Sequence, residues 1–128
     1  MKRLKFFGLG GQGVVTGAKI FSTAVSLYEG MNAITIPAYG HERRGAPVFT
    51  DVVMDSEPVL VNSFVYVPDI VVVMDETIID KHVDVGAGKH DGTMLVLNSE
   101  DPSTLQRYKE IFNNNEIYFA VILRCQLN

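Results

Sequence analysis

The residues best placed to do chemistry are three glycines, Gly8, Gly10 and Gly13, within the stretch Phe6 to Ile20, FFGLGGQGVVTGAKI. Their G-x-G-x-x-G spacing follows an apolar run and opens a stretch of good helix formers, the setting in which such a loop cradles a phosphate or carboxylate. Backbone without side chains approaches an anion closely. The unpaired N–H groups at a helix start, together with the helix dipole, supply partial positive charge. Gln12 stands in the same loop with an amide that both donates and accepts, suited to orienting a ligand or to locking the loop. The alternative is that the glycines serve only a tight turn and close packing of helix on strand.

Two nucleotide readings are disfavoured. A dinucleotide site asks for an Asp or Glu at the end of the second strand, about 20 residues on, and this chain has Ile34-Thr35-Ile36-Pro37 there. A Walker loop asks for Lys and Ser or Thr where Val14 and Val15 follow Gly13. A stand-alone nucleotide-binding domain would have Asp75 as its well-placed carboxylate, and Asp75 and Glu76 read more simply as helix-capping groups.

A second constellation lies in IPAYGHERRGAPVFTDV, Ile36 to Val52, where His41, Glu42, Arg43 and Arg44 precede Gly45. Two planar guanidiniums beside an anion-binding turn would clamp phosphates, provided this loop returns next to the first. Otherwise the segment is a solvated charged loop, or Glu42 pairs with an arginine at a subunit interface. No residue resembles a nucleophile or general base with a positioned partner, so no catalytic residue is expected in this chain alone. Cys125 is the sole cysteine, which excludes an internal disulfide and a locally ligated iron–sulfur cluster. His41, His82 and His90 lack the paired spacing of a zinc site, so no metal site is expected.

Positioning these residues falls to a recognisable series of elements. Leu4 to Phe7 reads as a strand, and Val14, Ala18, Phe21, Val25 and Tyr28 recur at helical spacing until Gly30, a C-terminal cap. Ala33 to Ile36 completes a βαβ unit. Val48 to Met54 and Val59 to Val61 flank the turn Asp55-Ser56-Glu57-Pro58 and predict an inserted antiparallel hairpin. Ile70 to Met74 reads as a central parallel strand, with Asp75 or Thr77 capping a short helix through Ile78, Ile79 and Val83. Thr93 to Leu97, a helix opened by Asp101-Pro102 and closed by Asn113 to Asn115, and a strand from Ile117 to Leu123 complete the series. The expected fold is α/β: a Rossmann-like three-layer domain with a mainly parallel, mixed sheet that includes the inserted hairpin.

The chain has 128 residues, 47% of them apolar, and a net charge of -4. That fits a single domain over residues 1–128, without the basic field that nucleic acid requires. Ile70 to Met74 is far shorter than the roughly 20 residues of a membrane span. Lys2 and Arg3 are followed by glycines and Gln12 rather than by an export signal, so a cytoplasmic protein is expected.

Taken together, GLGGQGVVTGAKI, PAYGHERRGAPVFTDV and PDIVVVMDETI resemble the gamma subunit or domain of the pyruvate:ferredoxin oxidoreductase family of 2-oxoacid oxidoreductases, over about Lys5 to Met94. The form Glu42-Arg43-Arg44-Gly45-Ala46-Pro47 is closer to the pyruvate and branched-chain members than to the 2-oxoglutarate members. The resemblance implies oxidative decarboxylation of a 2-oxoacid to an acyl-CoA, with electrons passing to ferredoxin. It implies thiamine diphosphate with Mg on the alpha and beta subunits, iron–sulfur clusters on beta and delta, and a gamma component tied to coenzyme A handling and to assembly. It carries cofactor binding over to Gly10, Gly11, Gln12, Gly13, Arg43 and Arg44. A scaffold subunit that binds no small molecule is the competing reading. The family continues beyond its last strand with an Asp-Ala motif and a further helical region, whereas this chain stops at Asn128. A short, divergent or frame-shifted C-terminus is therefore expected, with a dimer or a hetero-oligomer covering the exposed edge.

Overall fold

Alternation sets the first strand: in β1, Lys2–Leu9, Leu4 and Phe6 enter one core while Phe7 enters the other. The computed structural model describes residues 1–10, 13–37, 47–59, 65–81, 83–99, 101–112 and 115–120. Helix α1, Val14–Tyr28, buries Val14 and Ala18 one turn apart and continues the apolar face through Phe21 and Val25. It stops where expected. Gly30 takes φ 65°, and the Met31 N–H closes back on the Val25 carbonyl at 3.4 Å.

The remaining elements are β2, Asn32–Pro37; β3, Pro47–Asp55; β4, Ile70–Val73; a 3-10 helix, Glu76–Lys81; β5, Met94–Asn98; α2, Pro102–Ile111; and β6, Glu116–Ala120. Among the described residues they make one sheet in the order β2-β3-β1-β4-β5-β6. Strands β1, β4, β5 and β6 pair in parallel, while β3 runs antiparallel to both of its neighbours, β1 and β2. The sheet is thus mixed and mainly parallel, as the sequence predicts.

The predicted hairpin needs correction. Glu57 N–H does fold back onto Asp55 Oδ1, at 3.3 Å, but both edges of β3 are already paired, with β1 and with β2. Val59 is not in a strand, and Leu60 and Val61 lie outside the described residues. β3 instead inserts between β1 and β2, so the βαβ unit joins parallel strands that are not neighbours. The reason is length: β3 offers ladder bonds along both edges and buries Val52 and Val53 on opposite faces. A three-residue partner would leave most of those groups unpaired.

Helices cover both faces, giving the three expected layers. On one face α1 closes over Leu4, Phe6, Val48 and Val52. On the other, the 3-10 helix and α2 bring Ile78, Tyr108 and Phe112 onto Phe7, Val71, Val73, Leu95 and Leu97. The cap of α2 is the one read from sequence: Asp101 Oδ1 accepts the Ser103 N–H at 2.9 Å, with Pro102 opening the helix.

Candidate functional site

Strands β1 and β4 are parallel neighbours whose connections leave in opposite directions, α1 toward β2 and the 3-10 helix toward β5. The crevice at their carboxyl ends is the topological switch point, where sheets of this kind bind ligands. Gly10 forms the turn directly after β1. Gly13 is the N-cap of α1, at φ 75° and ψ 28°, in the left-handed region. A Cβ at Gly13 would meet nothing within 4 Å, so the dihedral rather than crowding demands glycine.

This geometry suits an anion. A left-handed residue leading into a right-handed helix turns successive N–H groups to one side, the arrangement of an anion-binding nest. No side chain caps α1, and its first turn carries no acidic residue to oppose an anion. Gly13→Ala is expected to lower folding stability by roughly 1–2 kcal/mol through the dihedral alone. A urea titration checks it, with the midpoint moving and the slope unchanged.

The opposite wall is the exit of β4. Met74 N–H donates to the Phe7 carbonyl at 2.8 Å, and Asn98 Nδ2 donates to the Met74 carbonyl at 3.1 Å. These bonds tie the ends of β1, β4 and β5 into one rim. Asp75 Oδ1 accepts both the Thr77 N–H, at 2.9 Å, and the Thr77 hydroxyl, at 2.6 Å, which engages it as the cap expected from sequence. The Tyr108 hydroxyl donates to the Glu76 carbonyl at 2.8 Å. Burial, and then the neighbouring Glu76 and Asp75 carboxylates, push that hydroxyl well above the usual range, so it remains a donor at neutral pH.

Of the sequence-predicted site residues, Gly10 and Gly13 meet at this rim, while Gly11, Gln12, Arg43 and Arg44 lie outside the described residues. Topology nevertheless fixes where the arginine segment leaves and returns. β2 ends at Pro37 on the carboxyl rim, and β3 begins at Pro47, which pairs with Leu9 next to Gly10. Both constellations are therefore anchored at one end of the sheet.

Two polar residues of consequence escaped the sequence reading. Asn98 ends an apolar run, and that position was its signal. Asp51 interrupts the apolar run Val48 to Met54 and is fully buried. Its Oδ2 accepts the Val65 N–H at 2.7 Å, and its Oδ1 lies 3.5 Å from Lys5 Nζ. The Lys5 ammonium in turn sits 4.7 Å from the centre of the Phe49 ring. Burial raises the Asp51 carboxyl above the usual carboxylate range, although the Val65 N–H and Lys5 work in the other direction.

Among the described residues no group of three or more His, Cys, Asp or Glu can hold a metal ion. No helix among them is long and apolar enough to cross a membrane.

Comparison with known proteins adds the following. Residues 3–122 match the family described as Pyruvate ferredoxin/flavodoxin oxidoreductase. The chain is 43% identical over 100 residues to the Pyruvate/ketoisovalerate oxidoreductases common subunit gamma of Thermococcus litoralis, a match covering 78% of this chain and 53% of that protein. It spans about half the length of that relative. Its fold is similar to the crystal structure of pyruvate oxidoreductase subunit PORC from Thermotoga maritima, with a TM-score of 0.73 and 24% identity, covering 94% of this chain and 61% of that one. It is also similar to the 2-oxoglutarate:ferredoxin oxidoreductase of Magnetococcus marinus, with a TM-score of 0.66 and 18% identity, covering 94% of this chain and 20% of that one.

Proposed function

The chain belongs to the pyruvate ferredoxin/flavodoxin oxidoreductase family, and we propose that it is the gamma component of a 2-oxoacid:ferredoxin oxidoreductase whose glycine turn receives a phosphate of coenzyme A. The complex oxidatively decarboxylates pyruvate or a related 2-oxoacid to an acyl-CoA and passes electrons to ferredoxin. The alpha, beta and delta partners hold thiamine diphosphate, Mg and the iron–sulfur clusters, which supply the decarboxylation and electron-transfer chemistry. A chain with one cysteine lacks the thiolates for such a cluster, which agrees with this division of labour.

The work of this chain is binding and orientation. Gly10, Gly11 and Gly13 present backbone N–H groups to a phosphate, Gln12 orients it, and Arg43 and Arg44 close over its remaining oxygens. The observation that carries this reading is the left-handed, side-chain-free N-cap at the switch point. The Magnetococcus marinus enzyme of similar fold is described with coenzyme A and succinyl-CoA bound, which supports the ligand class.

A scaffold role without ligand binding is favoured by a different observation, the apolar side chains that the fold leaves in solvent. Ile20 and Leu27 on α1 are 65% and 72% exposed, and Tyr118 on β6 is 51% exposed. One substitution separates the two readings. Arg44→Ala in the assembled complex is expected to weaken coenzyme A binding by roughly 1.5–3 kcal/mol, the loss of one charge-assisted hydrogen bond. Calorimetry would show it, with coenzyme A outcompeting dephosphorylated analogues on the unaltered complex. Impaired co-purification of companion subunits with an unchanged coenzyme A KM would instead make Arg44 an assembly residue.

A further inference from the structure

The amino-terminal rim of the sheet, opposite the ligand crevice, is tied together around a single histidine. His90 precedes β5, and its Nε2 lies 2.9 Å from Asp69 Oδ1. The other Asp69 oxygen accepts the Arg3 N–H, also at 2.9 Å. His90 Nδ1 accepts the Gly92 N–H at 3.0 Å. A ring nitrogen that accepts a hydrogen bond carries no proton, so in this geometry Nε2 holds the imidazole hydrogen and donates it to Asp69.

Further bonds carry the position of His90 into neighbouring strands. Its N–H donates to Thr93 Oγ1 at 2.9 Å, and that hydroxyl donates to the Pro68 carbonyl at 2.8 Å. Its carbonyl accepts Asn115 Nδ2 at 2.8 Å, and the same amide reaches the Asp91 carbonyl at 3.3 Å. Asn115 immediately precedes the edge strand β6. The starts of β1, β4, β5 and β6 thus share one cluster.

We infer that His90 is a proton-operated clasp: a proton taken up from solvent at Nδ1 expels the Gly92 N–H, shifts the Asp91–Gly92 turn, which the Thr93 N–H still closes onto the His90 carbonyl at 3.0 Å, and passes the movement through Asn115 to the start of β6. Imidazolium has two donors and no acceptor, so the Gly92 N–H is left facing another N–H. Histidine is the side chain that ordinarily changes charge between pH 5 and pH 8. Among the described residues, the charged groups around it are Asp69, facing Nε2; Lys2, whose charge reaches Asp69; Lys89, whose Nζ donates to Asn115 Oδ1 at 3.2 Å; and Asp91 in the turn itself. Partial burial works to raise the Asp69 carboxyl, but the Arg3 N–H and His90 outweigh it and hold the carboxyl below its usual range. A carboxylate held in that way keeps accepting from Nε2–H, so the Asp69 side of the clasp holds when the Gly92 side opens.

The test is nitrogen-15 NMR on the full labelled chain between pH 8 and pH 5. At pH 8 the imidazole should be the Nε2–H tautomer, with a scalar coupling across the hydrogen bond from the Gly92 amide nitrogen to His90 Nδ1. On acidification that coupling should vanish, and the Gly92 and Asn115 amide shifts should titrate with the midpoint of the imidazole. An Nδ1–H tautomer at pH 8, or a Gly92 amide that stays still while His90 titrates, overturns the inference. His90→Gln supplies the second arm: its Gly92 amide should lose the titration, and a persistent midpoint would assign the movement to another group and overturn the inference as well.

Discussion

Gly88→Ala is expected to remove roughly 3–5 kcal/mol of folding stability, the sum of a left-handed dihedral and a backbone collision. Gly88 takes φ 75°, and a Cβ there would overlap the Tyr66 carbonyl oxygen and lie 2.9 Å from its carbonyl carbon. Neither partner can yield cheaply. The obstacle is main chain, and the Tyr66–Pro68 segment leads directly into β4. Gly30→Ala is the matched control, because Gly30 also has a positive φ, 65°, but faces open space. It should cost only about 1–2 kcal/mol. Urea denaturation of the two variants separates the terms: equal midpoints would show that the close approach of Gly88 to Tyr66 contributes nothing. With total stability on the order of 5–15 kcal/mol, the Gly88 variant should also be the one that accumulates poorly.

Replacing Asp51 should split by what replaces it. Asp51→Ala leaves the Val65 N–H buried without an acceptor and Lys5 without its carboxylate, a loss of roughly 2–4 kcal/mol. Asp51→Asn retains an oxygen for Val65 and removes the desolvated charge, so it should stay within about 1 kcal/mol of the parent at pH 7. The pH dependence follows from the direction of the shift. Burial raises the folded-state carboxyl above its unfolded value, so the folded chain binds its proton more readily. The contribution of Asp51 to stability is full below the unfolded value and falls as pH rises through the folded one. The parent should therefore lose ground to Asp51→Asn as pH rises above the unfolded carboxylate range. Chemical denaturation at a series of pH values checks this, and a gap that widens in the opposite direction would assign the dominant influence on Asp51 to Lys5.

Local rules carried much of the architecture. The glycine spacing marked the turn from β1 into α1, Gly30 marked its end, Asp101-Pro102 opened α2, and the β-branched run at Ile70 marked the buried strand. Each of these is a property of a few adjacent residues. Hydrogen-bonding capacity, backbone freedom and apolar period are written in the residues themselves. For the candidate site, the same rules marked Gly10 and Gly13 as a side-chain-free turn.

Partner choice was not written that way. Val48 to Met54 is equally apolar whichever strand lies beside it, and only the competition among all strands for buried area and ladder bonds placed it between β1 and β2. The same long-range pairing set Pro47 beside Leu9, buried Asp51 under Val65, and brought Asp69, 21 positions away, to His90. The sequence alone determined the strand-turn-helix unit and its side-chain-free turn, because those follow from neighbouring residues. The tertiary structure decided that Pro37 and Pro47 lie on the same rim as Gly10 and which charges are buried, because contacts distant in sequence form only where the whole chain lowers its exposed apolar surface together.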